Sequence, residues 1–375
     1  MPKSAAIIQS SGLWTPRDVL TNAELVESYN AHVIRYNAEN AEAIARGELA
    51  EKQPSSSEFI EKASGIQARY AISKEGILDL DRMRPEVALR GDDELSWVAE
   101  AGVAAGKDAL ERAGWDGRDV DGVICSATSM QRPYPAIGIE IQQALGIGGF
   151  AYDMSVACSS ATFAVTIASN LIDAGQARSL LVISPELTTP QLNYNDRDSH
   201  FIFGDAATAV LLVRREDATG GWDILGTKMK TEYSNNIRSN QGFLNRCETP
   251  QRSEAELLFS QNGRKVFKEV CPMAAEFILT EMKALGLGPD DMKRLWLHQA
   301  NVNMNNMVAR KVFGRDYEPE EAPIILDEFA NTASCGSVIA FHRHHDDFAA
   351  GERGVICSFG AGYSIGSIFV EKRAS

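Results

Sequence analysis

The chain's 375 residues are 44% hydrophobic and 23% charged, near the soluble globular average. That length fits one large α/β body or two fused halves better than a string of small modules. Lys and Arg number 37 against 51 Asp and Glu, a net charge of −14, which excludes a general nucleic-acid binder because that function needs a basic footprint.

From the N-terminus, Met1 to Pro16 carries Pro, Ser and Trp where a signal peptide needs a continuous apolar region. The segment from about Glu24 to Ser57 is polar and helical by propensity, and is predicted to form an inserted helical cap or arm. Ala101 to Ser129 reads as a helix, a Gly114-Trp115 break, an Asp-rich turn and the apolar strand Gly122 to Cys125. Phe150 to Ala157 is strand-like. The uncharged run Met154 to Ile172 is interrupted by Ser, Thr, Asn and Cys158, so it predicts a buried small-residue helix rather than a membrane span. The strand SLLVISPE follows, then FGDAATAVLLVRR from Phe203.

The second half repeats this grammar. Ala274 to Asn303 holds the helix EFILTEMKAL, a Gly-Leu-Gly-Pro break, Asp290-Asp291 and the strand Leu295 to Leu297. A second small-residue run, NTASCGSVIA, opens at Asn331, followed by the strand GVICSFG and by FGAGYSIGSIFVEKR from Phe359. Cys125 and His298 are 173 residues apart, and so are Cys158 and Asn331; the Phe203 and Phe359 runs follow at 156. Equal offsets in order predict a duplicated αβ unit, with one half at 1–215 and the other at 216–375. Apolar strands spaced by helices predict mixed or parallel sheets covered on both faces. Two such sheets back to back make an α/β five-layered αβαβα sandwich, with the two small-residue helices buried between them.

The six cysteines form no CxxC pair, which predicts a reduced, cytoplasmic chain in which each is core or catalytic. Cys125, Cys271 and Cys357 lie in apolar runs and read as core. Cys158 stands where a buried helix starts, and the helix macrodipole there favours a thiolate. His298 emerges from a buried strand at a polar elbow, and Asn331 takes the position equivalent to Cys158. Each alone has a structural reading: core thiol, satisfied histidine, N-cap. In a duplicated sandwich the two helix starts and the strand end converge on one pocket. His342, His344 and His345 read as a charged helix face, with no metal site.

VACSSATFAV, LHQANVNM, FANTASCGSV and FGAGYSIGS resemble the active-site segments of the β-ketoacyl-ACP synthase III family, in the thiolase superfamily. The likeness extends to SEFIEKASGI, RDSHFIFGDAATAVLL and NGRKVFK. It implies a thiolase-like fold and a Cys158, His298, Asn331 triad. Cys158 would take an acyl group from acyl-CoA, with backbone N–H groups of Cys158 and Ala361 as the oxyanion hole. Malonyl-ACP would then lose CO2 against His298 and Asn331, and its enolate would attack the acyl-Cys to give 3-ketoacyl-ACP. Neither step calls for a metal or cofactor. By the same resemblance Phe59 and Arg197 stack on CoA, Lys268, Arg310 and Lys311 dock the acyl carrier protein, and Tyr134 closes the acyl tunnel of a neighbouring subunit in a homodimer. Phe59 stands for the family's usual Trp, and Asn303 replaces a common basic residue five past His298. The insertion and length are similar to the β-ketodecanoyl-ACP synthases, favouring a medium-chain primer such as octanoyl-CoA over acetyl-CoA. A secondary-metabolite acyltransferase or condensing enzyme and a non-catalytic partner subunit are the other readings. A nucleic-acid partner or a membrane is not expected.

Overall fold

The computed structural model describes residues 4–374. Its first part runs β1 (Ala6–Trp14), β2 (Asp18–Thr21), α1 (Asn22–Glu39), α2 (Ala41–Ala45), α3 (Ser57–Ser64), β3 (Ala68–Ala71), α4 (Lys74–Leu78), α5 (Trp97–Ala113), β4 (Gly122–Ser126), α6 (Ile137–Ala144), β5 (Phe150–Met154), α7 (Ser160–Asp173), β6 (Ser179–Glu186) and β7 (Ala206–Arg214). The rest comprises β8 (Trp222–Ser234), β9 (Ile237–Arg238), α8 (Glu254–Leu257), β10 (Ser260–Gln261), α9 (Gly263–Ala284), β11 (Met292–Leu297), α10 (Val302–Phe313), α11 (Leu326–Phe329), α12 (Cys335–Arg343), β12 (Arg353–Gly360) and β13 (Gly362–Lys372). Local chemistry sets the boundaries. Thr21 and Glu24 form a capping box at the start of α1, and Ser96 caps α5, which stops at Gly114 in the left-handed region.

Nine strands form a sheet in the order β11-β12-β13-β8-β1-β7-β6-β4-β5. Counted outward from the middle, the first half reads β1, β7, β6, β4, β5, and the second reads β8, β13, β12, β11 with no fifth member. β4 is parallel to β5 and β6, β11 is parallel to β12, and the remaining pairs are antiparallel. The sequence predicts two separate sheets; instead the halves are hydrogen-bonded into one where Ile7 pairs with Asp223 and Ile8 with Trp222. So short a seam leaves no sequence signal, and it does not disturb the layering. α7 packs on β4, β6 and β7 and also on β12, β13 and β8, while α12 packs on β11 and β12 and also on β1 and β7. Both helices therefore lie between the halves. α5 and α6 cover one outer face, and α9, with α10 against it, covers the other. The result is the five-layered αβαβα sandwich.

Composition of the middle layer follows from that crowding. α7 turns Ala161, Ala164 and Ala168 into the core, and α12 is buried from Cys335 to Phe341. On β13, a Cβ at Gly366 would stand 2.3 Å from Thr162 Oγ1, so no larger residue fits between helix and strand. The histidines at the end of α12 and just past it differ from the expected charged face. The Ser11 hydroxyl lies 2.9 Å from His342 Nδ1, and the His345 ring packs on Trp222 and Phe341, because the helix turns this end into the Trp222, Trp296, Phe348 aromatic cluster. Among the described residues, no group of three or more His, Cys, Asp or Glu is arranged to hold a metal ion, and no helix is long and apolar enough to cross a membrane. Cys125, Cys271, Cys335 and Cys357 are buried, whereas Cys247 is exposed, contrary to the expectation that every cysteine is core or catalytic.

Gly366→Val should lower unfolding stability by about 1–3 kcal/mol through overpacking, measured by urea denaturation. Unchanged stability would mean that the central layer is looser than described.

Candidate active site

Cys158 sits in the turn that delivers β5 into α7. The turn is stitched by its own serines: Ser160 Oγ donates to the Ala157 carbonyl at 2.7 Å and accepts from the Val156 N–H at 2.8 Å. Across the layer Ser159 Oγ donates to the Ser364 carbonyl, and the Ser364 hydroxyl lies within donating distance of both Ser159 Oγ and the Ala361 carbonyl. This binds the Cys158 turn to the hinge between β12 and β13. At Gly360 the two backbones nearly touch: an added Cβ would lie 2.6 Å from Cys158 Cβ and 2.9 Å from its sulfur. Ala157 has φ of +47° and Ala330, 173 residues on, has φ of +54°, so the residue before each pocket residue is held in the left-handed region. Non-glycine residues seldom occupy it, and such strain persists only where the surroundings impose it.

His298 continues β11, its N–H donating to the Cys357 carbonyl at 2.8 Å, and its ring meets Phe359 edge-on at 5.5 Å. It is 2% exposed, and burial holds its pKa down to about 4, opposed by a hydrogen bond to the Ala333 backbone. The imidazole is neutral near pH 7, and among the described residues its Nδ1 has no hydrogen-bond partner. Asn331 is clamped by the backbone of the FGD segment, donating to the Ile202 carbonyl and accepting from the Gly204 N–H. Its Oδ1 accepts from the Ala333 N–H at 2.9 Å, which fixes the amide.

Cys158, His298 and Asn331 all line one cavity of about 330 Å³, walled by Phe59, Phe201, Phe203, Phe259, Val266 and Phe267. The backbone N–H groups of Cys158 and Ala361 both bond toward the Cys158 sulfur and lower its pKa. Burial outweighs them, with the nearby Glu186 carboxylate adding to it, and the thiol is pushed up to about 12. The thiolate expected from the helix start is thus overruled by desolvation, and the resting sulfur is a neutral thiol.

A profile of 3-oxoacyl-[acyl-carrier-protein] synthase III matches residues 152–232, and one of its C-terminal part matches residues 282–372. The β-ketodecanoyl-[acyl-carrier-protein] synthase of Pseudomonas aeruginosa is 54% identical over 349 residues, covering 92% of this chain and 100% of that one. The chain belongs to the β-ketoacyl-ACP synthase III family. A β-ketoacyl-[acyl-carrier-protein] synthase III from a Roseiflexus species is 29% identical over 73% of this chain and 83% of its own length. The crystal structure of 3-oxoacyl-[acyl-carrier-protein] synthase III from Aquifex aeolicus superposes with a TM-score of 0.75 over 98% of this chain and 99% of that one, at 22% identity. The chain is accordingly an acyltransferase of the condensing type.

The other residues singled out for this synthase scatter around the cavity. Phe59 and Arg197 meet, but directly, with the guanidinium 4.0 Å from the ring centroid. Tyr134 is 80% exposed and lines a separate groove with Arg132 and Glu140. Lys268 is exposed, directly after the cavity residues Val266 and Phe267 and one turn along α9 from exposed Arg264 and Lys265, which the sequence did not single out. Arg310 faces Asp316 at 3.4 Å, and Lys311 stands over the middle of α9 with Pro272, Ala275 and Glu276.

Glu186 also escaped the sequence reading, because SPE reads only as the end of a buried strand. Its Oε1 accepts from the N–H and hydroxyl of both Thr128 and Ser334, tying the loop after β4 to the start of α12 behind the pocket. Burial pushes its pKa up to about 7, and its charge disfavours a Cys158 thiolate. Glu186→Gln should move alkylation of Cys158 by iodoacetamide about one pH unit lower, read by peptide mass spectrometry with exposed Cys247 as internal reference. An unmoved profile would mean that Glu186 exerts no field on the sulfur.

Proposed function

We propose that the protein condenses a medium-chain acyl-CoA, octanoyl-CoA foremost, with malonyl-ACP to give 3-ketoacyl-ACP, CoA and CO2 at the start of fatty acid synthesis. The observation that carries this reading is the Cys158 sulfur between two backbone N–H donors, in an apolar cavity shared with His298 and Asn331. The medium-chain choice rests on the 54% identity to a β-ketodecanoyl-ACP synthase, since octanoyl extended by two carbons makes a ten-carbon product.

Cys158 Sγ attacks the thioester carbon while neutral His298 takes the thiol proton. The carbonyl oxygen turns toward the N–H groups of Cys158 and Ala361, where its developing charge is stabilised. The tetrahedral species then expels CoA thiolate, which takes the proton. In the second half-reaction the malonyl C–C bond breaks and CO2 leaves, its electron pair forming an enolate at the remaining thioester. His298 and the Asn331 amide donate hydrogen bonds to that oxygen. A neutral imidazole suits this role, because a hydrogen-bond donor is needed and a proton transferred to the enolate would quench it. The enolate carbon attacks the acyl-Cys158 carbonyl, and the thiolate is expelled and reprotonated. Electron flow closes without a redox cofactor or a metal.

Phe59 and Arg197 are the reading's nucleotide plates. For the carrier, exposed Arg264 and Lys265 beside Lys268 form the better-placed part of a basic dock, with Arg310 and Lys311 further along α10. A homodimer is supported by β5, which ends the sheet with its outer edge unpaired among the described residues and Phe150 exposed; Tyr134 would then serve the partner's tunnel. Such a soluble synthase would work in the cytoplasm, and residues 24–57 are the arm inserted into its first half.

Offered octanoyl-CoA and acetyl-CoA in competition with malonyl-ACP, the enzyme should make mainly 3-ketodecanoyl-ACP, read by mass spectrometry of the carrier. Predominant 3-ketobutyryl-ACP would overturn the chain-length assignment. Light scattering should give a two-chain mass; a single-chain mass would remove the homodimer.

A further inference from the structure

The stretch Lys52 to Ser55 is laid against α1 by two asparagines seven positions apart, hence on one face of the helix. Asn37 Nδ2 donates to the Lys52 carbonyl at 3.0 Å and its Oδ1 accepts from the Lys52 N–H at 2.9 Å. Asn30 does the same at Ser55, at 3.0 and 2.8 Å. Each side-chain amide satisfies one backbone donor and one acceptor, as a neighbouring strand would. The strip is fixed in this way without belonging to a sheet.

The strip then holds the loop that carries Arg197. Lys52 Nζ donates to the Asn195 carbonyl at 2.8 Å, and Arg197 Nε donates to the Pro54 carbonyl at 2.8 Å. Three residues on, the His200 ring stacks on Tyr29 of α1 at 4.5 Å. With its Nε engaged, Arg197 holds its guanidinium over the ring of Phe59, which lines the cavity. The plates are 4.0 Å apart, whereas a base between two planar groups needs about 7 Å, twice a contact distance. The nucleotide slot is therefore shut, and besides Asp198, 3.7 Å from the guanidinium, and Phe59 itself, the Arg197 loop is held by the inserted arm, through Pro54, Lys52 and Tyr29.

We propose that the arm is a latch: Lys52 and Pro54 hold the Arg197 loop down on Phe59, and a nucleotide-bearing primer enters only when that loop lifts. This rests on the acyl-transfer reading above and deepens it. The latch lowers the fraction of molecules competent for acyl-CoA, and so the apparent affinity, without touching the reacting groups. A primer lacking the nucleotide does not need the plates to part.

The test is single-turnover acylation of Cys158, followed by intact-protein mass, with octanoyl-CoA and with octanoyl-N-acetylcysteamine, which has the same thioester and no nucleotide. Lys52→Met and the pair Asn30→Ala with Asn37→Ala should each raise the second-order rate with octanoyl-CoA about fivefold, as expected for losing the net contribution of about one ordinary hydrogen bond to the closed state. The N-acetylcysteamine rate should be unchanged, which also shows that each variant is folded. An unchanged or slower octanoyl-CoA rate, or an equal change with both thioesters, overturns the latch alone. Failure of wild-type Cys158 to accept either thioester overturns both the latch and the acyl-transfer reading.

Discussion

Everything at the site depends on the contact between Cys158 and Gly360, where a side chain on the glycine would collide with the sulfur. Such an approach is possible only because α7 is sunk between the two halves of the sheet, which the small residues favour: seven of its ten buried residues are Ala, Ser or Thr, with Phe163, Val165 and Ile172 the exceptions. The same packing lays the Ala361 N–H beside the sulfur and aims the start of α12 at the same cavity. The left-handed Ala157 and Ala330 are the local cost of turning two helix starts toward one point. Active-site geometry here is a consequence of middle-layer packing.

Burial also sets the electrostatics. In so dry a pocket both members of a Cys-His pair prefer to be neutral, the thiol raised and the imidazole lowered. Charge is created only as the reaction proceeds, against donors already in position. Stabilisation is then concentrated on the transition states and not on a resting thiolate. Glu186 completes the scheme from behind, bracing Thr128 and Ser334 while its carboxylate adds to the burial that raises the pKa of the Cys158 thiol.

Much of this was legible in the residues. The 173-residue offset linking Cys158 to Asn331 and Cys125 to His298 gave the duplication its register, and the Ala-Ser-Thr runs marked the middle layer, because period and residue size are local properties. What failed to show was set by contacts distant in sequence. The two-residue seam at Ile7 and Ile8 joins the halves without any pattern. Desolvation overruled the thiolate argument at Cys158, since a helix start can be read from sequence but its burial cannot. His342 and His345 looked solvated beside Arg343 and Asp346, yet the aromatic cluster of Trp222 and Trp296 draws them in. Glu186 lies 28 residues past Cys158 and meets it only in the fold. The arm was visible as a polar insertion, but its asparagine zipper and its grip on Arg197 required coordinates.

The central claim is a division of labour: Cys158 takes the acyl group, and His298 with Asn331 serves the malonyl half-reaction. It is tested most directly by intact-protein mass in single turnover on Asn331→Ala, with octanoyl-CoA first and malonyl-ACP added afterwards. The mechanism predicts that the variant acquires one octanoyl group on Cys158 at near the wild-type rate and then retains it, whereas wild-type enzyme is discharged. Discharge of the variant at the wild-type rate, or failure of the acyl group to appear on Cys158 in either protein, would contradict it.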